Sequence, residues 1–512
     1  MARLKLHMAG NCSLVDVRAV LLVGCSVVAL GGCAVGPDFK RPVTPAIPRY
    51  TQAPTPAATQ AVHAVDGAAQ SFDTGKDVAG AWWTLFRSPR LSALIGAALR
   101  QNPSLEAAQQ TLHQAQETTL AAKGAWFPQL SAGLNRQRQE LSAAEAGLHG
   151  AGETFSVYTA QVGVNYTFDV WGQTQRTVEA DAAQAEYQRF QLEGAVNMLA
   201  ANTATSVINA AALQAEIAAE TQLVAAERRL LDVVRQQFEL GGATGTDVAT
   251  QEAQLANTEA LVVPLQTQLT QARDQLAAYL GRAPSAAEIP AVALDELTLP
   301  GALPVSLPSQ LVAQRPDIRA SEAQLHTATA QVGVAVANRL PQLTLSAFVG
   351  SAPAQIGQLF TPGNGIWSVT NQVAGPLFQG GTLLHQQRAA VAAMRAAAAN
   401  YQNTVVTAFQ NVADVLTALS QDALALQANQ DAERAAARSL SLAQEQYGAG
   451  GVSYLTVLTA QTQYQNAVIG LIRARAARYT DTVALFAALG GGWWNRNDAA
   501  PPPEGLIRSL LP

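Results

Sequence analysis

The sequence predicts an α+β membrane protein built from two copies of one unit. Three observations predict it: a long-range internal repeat, segments that alternate apolar and polar residues, and long stretches with an apolar residue at every seventh position. The repeat is read directly. "NPSLEAAQQTLHQAQ" from Asn102 is answered by "RPDIRASEAQLHTATAQ" from Arg315, so that Pro103 falls on Pro316, Leu105 on Ile318, Leu112 on Leu325 and His113 on His326, at a spacing of 213 residues. "WFPQLSAG" at Trp126 answers "RLPQLTLS" at Arg339. The spacing then drops to 209. "QFELGGATGTDVATQEAQ" from Gln237 matches "QYGAGGVSYLTVLTAQTQ" from Gln446, pairing Gly241 with Gly450, Gly242 with Gly451 and Asp247 with Thr456. Solenoid units run about 20–50 residues, so this is a duplicated structural half.

Each half has the same order: a helix-like segment (about 104–125 and 317–338), a Pro-Gln-Leu boundary, two strands, then two long helices split by a glycine pair. The strands read from alternation. In "SVYTAQVGVNYTFDV", Tyr158, Ala160, Val162, Val164, Tyr166 and Phe168 share one face, while Gln161, Gly163, Asn165 and Thr167 share the other. "LSAGLNRQR", "LTLSAFVG" and "GIWSVTNQVAG" alternate less cleanly. An apolar, aromatic face backed by a small, polar one fits a strand with lipid outside and water inside.

The helices read from heptads. Ile217, Val224, Leu231 and Phe238 are seven apart, as are Val248, Leu255, Val262, Leu269 and Leu276. The second copy is looser: Leu419, Leu426, Leu440 and Tyr447. Such a repeat predicts helices packed side by side in a shallow left-handed supercoil. The segment 174–238 holds no proline, and 65 residues of helix span roughly 97 Å. The glycine pairs predict helix ends and chain reversals, and Pro264 predicts a kink.

Four short strands cannot close a barrel, which needs about eight. An open sheet in lipid leaves its edge groups unsatisfied. Strands in the membrane therefore require several chains to share one barrel.

The N-terminus predicts export. Arg3, Lys5 and Arg18 precede an apolar run from Ala19 to Leu30, too short for a transmembrane helix of about 20 residues. "LGGCAVGPDFKRP" resembles a bacterial lipoprotein box with Cys33 as the lipidated residue; "LVGC" at Cys25 fits the box less well, because cleavage there leaves an apolar stretch and a second cysteine. Cleavage at Cys33 removes Cys12 and Cys25 and leaves one cysteine, hence no internal disulfide. It also shifts the net charge from −5 to about −7. The acidic balance gives a nucleic-acid partner no electrostatic support. Ala34 follows the cysteine with no aspartate retention signal, which points to the outer membrane.

In "GCAVGPDFKRP", "FDVWGQTQ", "LPSQLVAQRPDIRASEAQL", "GPLFQGG", "AFQNVADVLTAL" and "ALGGGWW", taken in this order, the chain resembles the TolC/NodT-type outer-membrane factors from Cys33 to about Trp494. The resemblance implies a homotrimer whose chains give four strands each to a shared twelve-stranded β-barrel, continued by a long α-helical barrel; the internal repeat then makes a pseudo-sixfold tube. It implies a passive exit duct of a tripartite efflux pump for drugs or other small toxic compounds, with a periplasmic adaptor, an inner-membrane pump and outer-membrane lipid as partners. The expected division is a signal peptide at 1–32, an extended strap at 33–80, the first repeat at 81–282, a linker at 283–310, the second repeat at 311–492 and a tail at 493–512. A type I protein-secretion duct, a periplasmic adaptor and a lipid-anchored coiled-coil scaffold without a pore are the competing readings. Two strand pairs and two hairpins argue against the adaptor.

The resemblance places acidic gate residues just after the second helix reversal, where this chain carries Thr456 and Thr459; the first half carries Asp247 instead. Three Asp247 carboxylates about 6 Å apart would repel by roughly 2.8 kcal/mol per pair at an effective dielectric of about 20. A helix-capping role for Asp247 competes. Gly241, Gly242, Gly450 and Gly451 mark the expected adaptor-facing tip. No catalytic, metal or cofactor constellation is expected beyond the lipid on Cys33: the histidines lack ligand spacing, "GGATGTD" lacks the Gly-Lys-Ser/Thr of a phosphate loop, and Glu216 and Glu220 read as a solvated face. Trp82–Trp83 and Trp493–Trp494 read as packing.

Overall fold

The computed structural model describes residues 34–142, 147, 149 and 151–496. Cys33, the signal segment and the tail beyond Arg496 lie outside the described residues. In chain order the elements are β1 (Ser71–Thr74), α1 (Pro89–Gln101), α2 (Pro103–Lys123), β2 (Gln129–Leu141), β3 (Glu153–Phe168), α3 (Gln173–Glu239), α4 (Gly245–Tyr279), β4 (Ala302–Val305), α5 (Pro308–Gln314), α6 (Pro316–Ala337), β5 (Gln342–Ser351), β6 (Gly365–Ala374), α7 (Thr382–Gly448) and α8 (Tyr454–Ala488). α3 and α7 are each 67 residues long, and α4 and α8 each 35. Pro103 and Pro316 open α2 and α6 at the first helical position, where the missing N–H costs nothing. α4 continues through Pro264.

The chain forms two compact units, each drawing on both sequence halves: residues 34–40, Glu117–Ala183 and His326–Ala396 in one, Arg41–Gln116, Gln184–Leu325 and 397–496 in the other.

The first unit holds an antiparallel sheet of order β2-β3-β5-β6. Its register puts Gln129, Asn165, Ser346 and Thr370 level across all four strands. The alternation therefore sums across strands. Val162, Val349 and Trp367 lie side by side on one face, as do Val164, Ala347 and Val369; Leu130 and Leu134 extend that face on β2. The opposite face carries Asn165 hydrogen-bonded to Ser346 (3.0 Å) and Thr167 beside Thr344 (3.4 Å). Phe348 on the polar face and Asn371 on the apolar one are the departures that blurred the alternation of β5 and β6. Both β2 and β6 are open edges.

The second unit holds the main core. Trp82 stacks on Phe486 at 5.2 Å and, with Phe86, Leu91, Ile95, Ile208, Leu311, Ile318 and Tyr479, is fully buried. Val405, Ala408, Val412, Leu416, Leu419, Ala423 and Leu426 supply one continuous buried stripe of α7, at helical spacings of three and four. Arg315, just after α5, donates to the carbonyls of Ala408 (3.2 Å), inside α7, and Ala488 (3.0 Å), the last residue of α8. The paired tryptophans are packing residues: Trp493 donates its indole N–H to the Gln314 carbonyl and meets Phe190 edge-on.

Candidate functional site

Both glycine pairs end their helices in the same way. Gly241 (φ 78°) and Gly450 (φ 74°) take the left-handed conformation. Their N–H groups bond to the carbonyls of Phe238 and Tyr447; the next glycines, Gly242 and Gly451, bond to those of Gln237 and Gln446. This is the Schellman pattern. Only the first glycine of each pair needs a positive φ.

Asp247 is the third residue of α4, not its cap. Thr244 is the N-cap: its hydroxyl oxygen accepts from the Asp247 N–H, and the Asp247 carboxylate accepts from the Thr244 N–H (2.8 Å) and hydroxyl (2.7 Å). The backbone bond from Thr244, then its hydroxyl, holds the Asp247 carboxyl below the usual range. At the equivalent second reversal Thr456 stands 3.2 Å from the hydroxyl of Ser453, so a neutral pair replaces the charged box. Thr459 is exposed and returns its hydroxyl to the Leu455 carbonyl.

The two reversals are joined within the second unit. Tyr447 donates to the Gln237 side chain (2.9 Å) and meets Tyr454 edge-on at 5.6 Å. Burial raises the Tyr454 phenol well above its ordinary value.

The structure overturns the reading of Glu216 and Glu220 as a solvated face. Both are buried, and Glu227 is completely so. They form a ladder from α3 to α8: Glu216 receives two bonds from Arg473 (3.1 and 3.0 Å), Glu220 one from Gln465 (2.8 Å) and Glu227 one from Gln461 (2.9 Å). From α4, Thr258 donates to the Glu227 carboxyl (3.0 Å) and Gln251 to its backbone carbonyl (3.1 Å). Burial raises the Glu220 and Glu227 carboxyls. The expected heptad row is only half right. Val224 and Leu231 are buried, Ile217 is half-buried and Phe238 is exposed. The second row of the same seam is Glu220, Glu227 and Val234, again seven apart, and it faces Gln251 and Thr258, also seven apart.

The described chain after Cys33 is pinned in the first unit. Val35 donates its N–H to the Trp171 carbonyl (3.0 Å), just beyond β3. Arg176, nearly fully buried, binds the Val35 carbonyl, Asp38 (2.6 Å) and Glu179 (2.7 Å). Glu179 also meets His326 (2.8 Å), on which Phe39 stacks at 4.2 Å. His326 is thus a packing residue of the strap. Its repeat partner His113 instead lines a cavity of about 300 Å³ with Leu105, Leu112 and Glu193.

In the second unit, residues 59–70 clamp α8. Arg478, fully buried, donates to the carbonyls of Asp66 and Ala68 and to the Gln70 side chain; Arg475 pairs with Asp66 and Asp295; Tyr479 donates to Asp66 (2.7 Å). Sequence reasoning missed this clamp. Its one signal is "VDG" at Val65–Gly67, where Asp66 takes a positive φ. Among the described residues no group of three or more His, Cys, Asp and Glu could hold a metal, and no helix is long and apolar enough to cross a membrane.

A channel-type sheet with one apolar face, joined in sequence to paired long helical hairpins, defines a class of outer-membrane transport protein. The chain belongs to the outer membrane efflux protein family, whose model matches residues 94–282 and 307–491, more than half of the chain. It is 29% identical over 488 residues to the probable efflux pump outer membrane protein TtgC of Pseudomonas putida, covering 94% of this chain and 97% of that one. It is 26% identical over 475 residues to the probable outer membrane lipoprotein SilC of Salmonella typhimurium, covering 92% and 98%. Among solved structures, the outer-membrane channel OprN superposes with a TM-score of 0.81 at 25% identity, over 90% of this chain and all of that one.

Proposed function

We propose that the protein is the exit duct of a tripartite efflux pump, passively conducting drugs or other small toxic compounds out of the cell. Three copies pool four strands each into a twelve-stranded barrel, and their long hairpins line up as a helical conduit. The single observation that carries this reading is the open sheet β2-β3-β5-β6. It has an apolar face, a polar face and two unpaired edges, so in lipid its backbone is satisfied only by edge-to-edge pairing with further copies. The equal lengths of α3 and α7, and of α4 and α8, support a duplication that doubles a threefold ring to pseudo-sixfold.

Cys33 carries the lipid: the residues after it are tied beside Trp171, at the end of β3 where β2 begins, which suits an anchor at the membrane boundary. The reversals at Gly241–Gly242 and Gly450–Gly451 face a periplasmic adaptor, and an inner-membrane pump supplies the energy. Asp247, with Thr456 and Thr459 at the second reversal, lines the closed end. No catalytic step and no cofactor enters. Planar-bilayer recording tests the reading: the purified protein is expected to give discrete, ion-conducting steps, and membrane-inserted protein that never conducts would overturn it.

A further inference from the structure

The segment "GPLFQGG" joins β6 to α7 and carries the apolar pair Leu377 and Phe378. Leu377 and Phe378 are 102% and 89% exposed, among the barest large apolar side chains of the described residues. The turn is built to present them. A Cβ on Gly375 would meet Pro341 at 2.9 Å, so the chain passes close against the start of β5; Gly380 and Gly381 take positive φ (59° and 87°) and turn it into α7. Irregular backbone is not tolerated bare in hydrocarbon, so this turn lies beyond the apolar band. Phenylalanine and leucine also lack the polar end that suits tryptophan and tyrosine to a lipid interface.

The sheet says what covers them. β2 and β6 are the two open edges and run in opposite directions, since each of the three pairings between them is antiparallel. The end of β6 and the start of β2 therefore lie at the same end of the sheet. Just before β2 stand Trp126 and Phe127, 41% and 49% exposed. When β6 of one copy pairs with β2 of the next, Leu377 and Phe378 come to the copy that carries Trp126 and Phe127 at the same level.

We infer that Leu377 and Phe378 are an intersubunit clasp, docking on Trp126 and Phe127 of a second copy of this chain at the mouth of the shared barrel. The inference rests on the shared-barrel reading and deepens it. The clasp locks the seam where strand gives way to helix, so it governs how firmly the copies hold together rather than what passes through.

The test uses full-length protein in isolated outer membranes carrying Phe127→Cys and Phe378→Cys together, oxidised or treated with short bismaleimides. Covalent dimers and trimers that need both cysteines are expected. Beside it, Leu377→Ser/Phe378→Ser is expected to lower the trimer-to-monomer ratio in mild detergent by about tenfold or more, the scale set by losing burial of such side chains. A wild type that is trimeric by native mass but gives no cross-link, or Phe378→Trp fluorescence quenched by brominated phospholipid, would overturn the clasp and leave the barrel standing. A monomeric wild type would overturn the shared-barrel reading itself.

Discussion

Glu227 of α3 and Gln461 of α8 are joined by a 2.9 Å hydrogen bond in a fully buried seam. The carboxyl's side-chain partners are two glutamine amides and a threonine hydroxyl, from α8 and α4. These three donors favour the carboxylate, but burial, helped by the charge of Glu220, outweighs them and raises this carboxyl.

The folded state binds the proton more tightly than the unfolded chain, so stability falls as pH rises from the ordinary carboxylate range through the raised folded value. Glu227→Gln keeps the shape and removes the titration. Thermal unfolding from pH 4 to pH 8 should show a shallower decline for Glu227→Gln than for the parent; parallel curves would show that Glu227 does not titrate in the seam.

Gly241 and Gly242 should behave differently despite their adjacency. Gly241 sits at φ 78°, where an L side chain costs about 1–2 kcal/mol. Gly242 has an ordinary φ, and a Cβ there meets the Gln237 carbonyl at 3.5 Å, a normal contact. Gly241→Ala should lower the unfolding temperature clearly, and Gly242→Ala hardly at all. Gly450 and Gly451 should repeat the contrast.

Asp247 has a structural role that a gate role must be separated from. Asp247→Ala breaks the capping box with Thr244 and should cost about 0.5–1 kcal/mol at the exposed start of α4. Because its folded pKa is depressed, this contribution is present at neutral pH and lost as pH falls through the folded value. Single-channel recording separates the roles: Asp247→Asn should change conductance if the carboxylates crowd the closed end. Unchanged conductance would leave Asp247 as a capping residue alone.

Arg478 is the keystone of the strap clamp. Arg478→Ala takes the donor from the carbonyls of Asp66 and Ala68 and from the Gln70 side chain, at a cost of about 1–3 kcal/mol for each buried group left unpaired. Limited proteolysis should cut first within residues 59–70 of the variant. Cleavage there at the parental rate would mean that the clamp does not hold the strap.

The strands, the long helices and the reversals were legible because period and glycine placement are local signals. Val162 and Val164 mark an apolar strand face by alternation, whereas Trp367 lies in a strand whose alternation is blurred; Gly241 and Gly450 mark a turn by chemistry. The glutamate ladder was not legible in the same way. Glu220 and Glu227 occupy a heptad row, but their burial depends on Gln461 and Gln465, 234 and 245 residues away, and on Thr258 of the next helix. The clamp was hidden for the same reason: Asp66 and Arg478 are 412 residues apart. Polar partners chosen across elements leave no period behind.

The central claim is that one chain cannot close its own barrel. Native mass spectrometry of the membrane-extracted protein in mild detergent tests it most directly. The account predicts a homotrimer, each chain beginning at a lipidated Cys33. A protein that remains monomeric under those conditions would leave β2 and β6 unpaired in the membrane and would contradict the account.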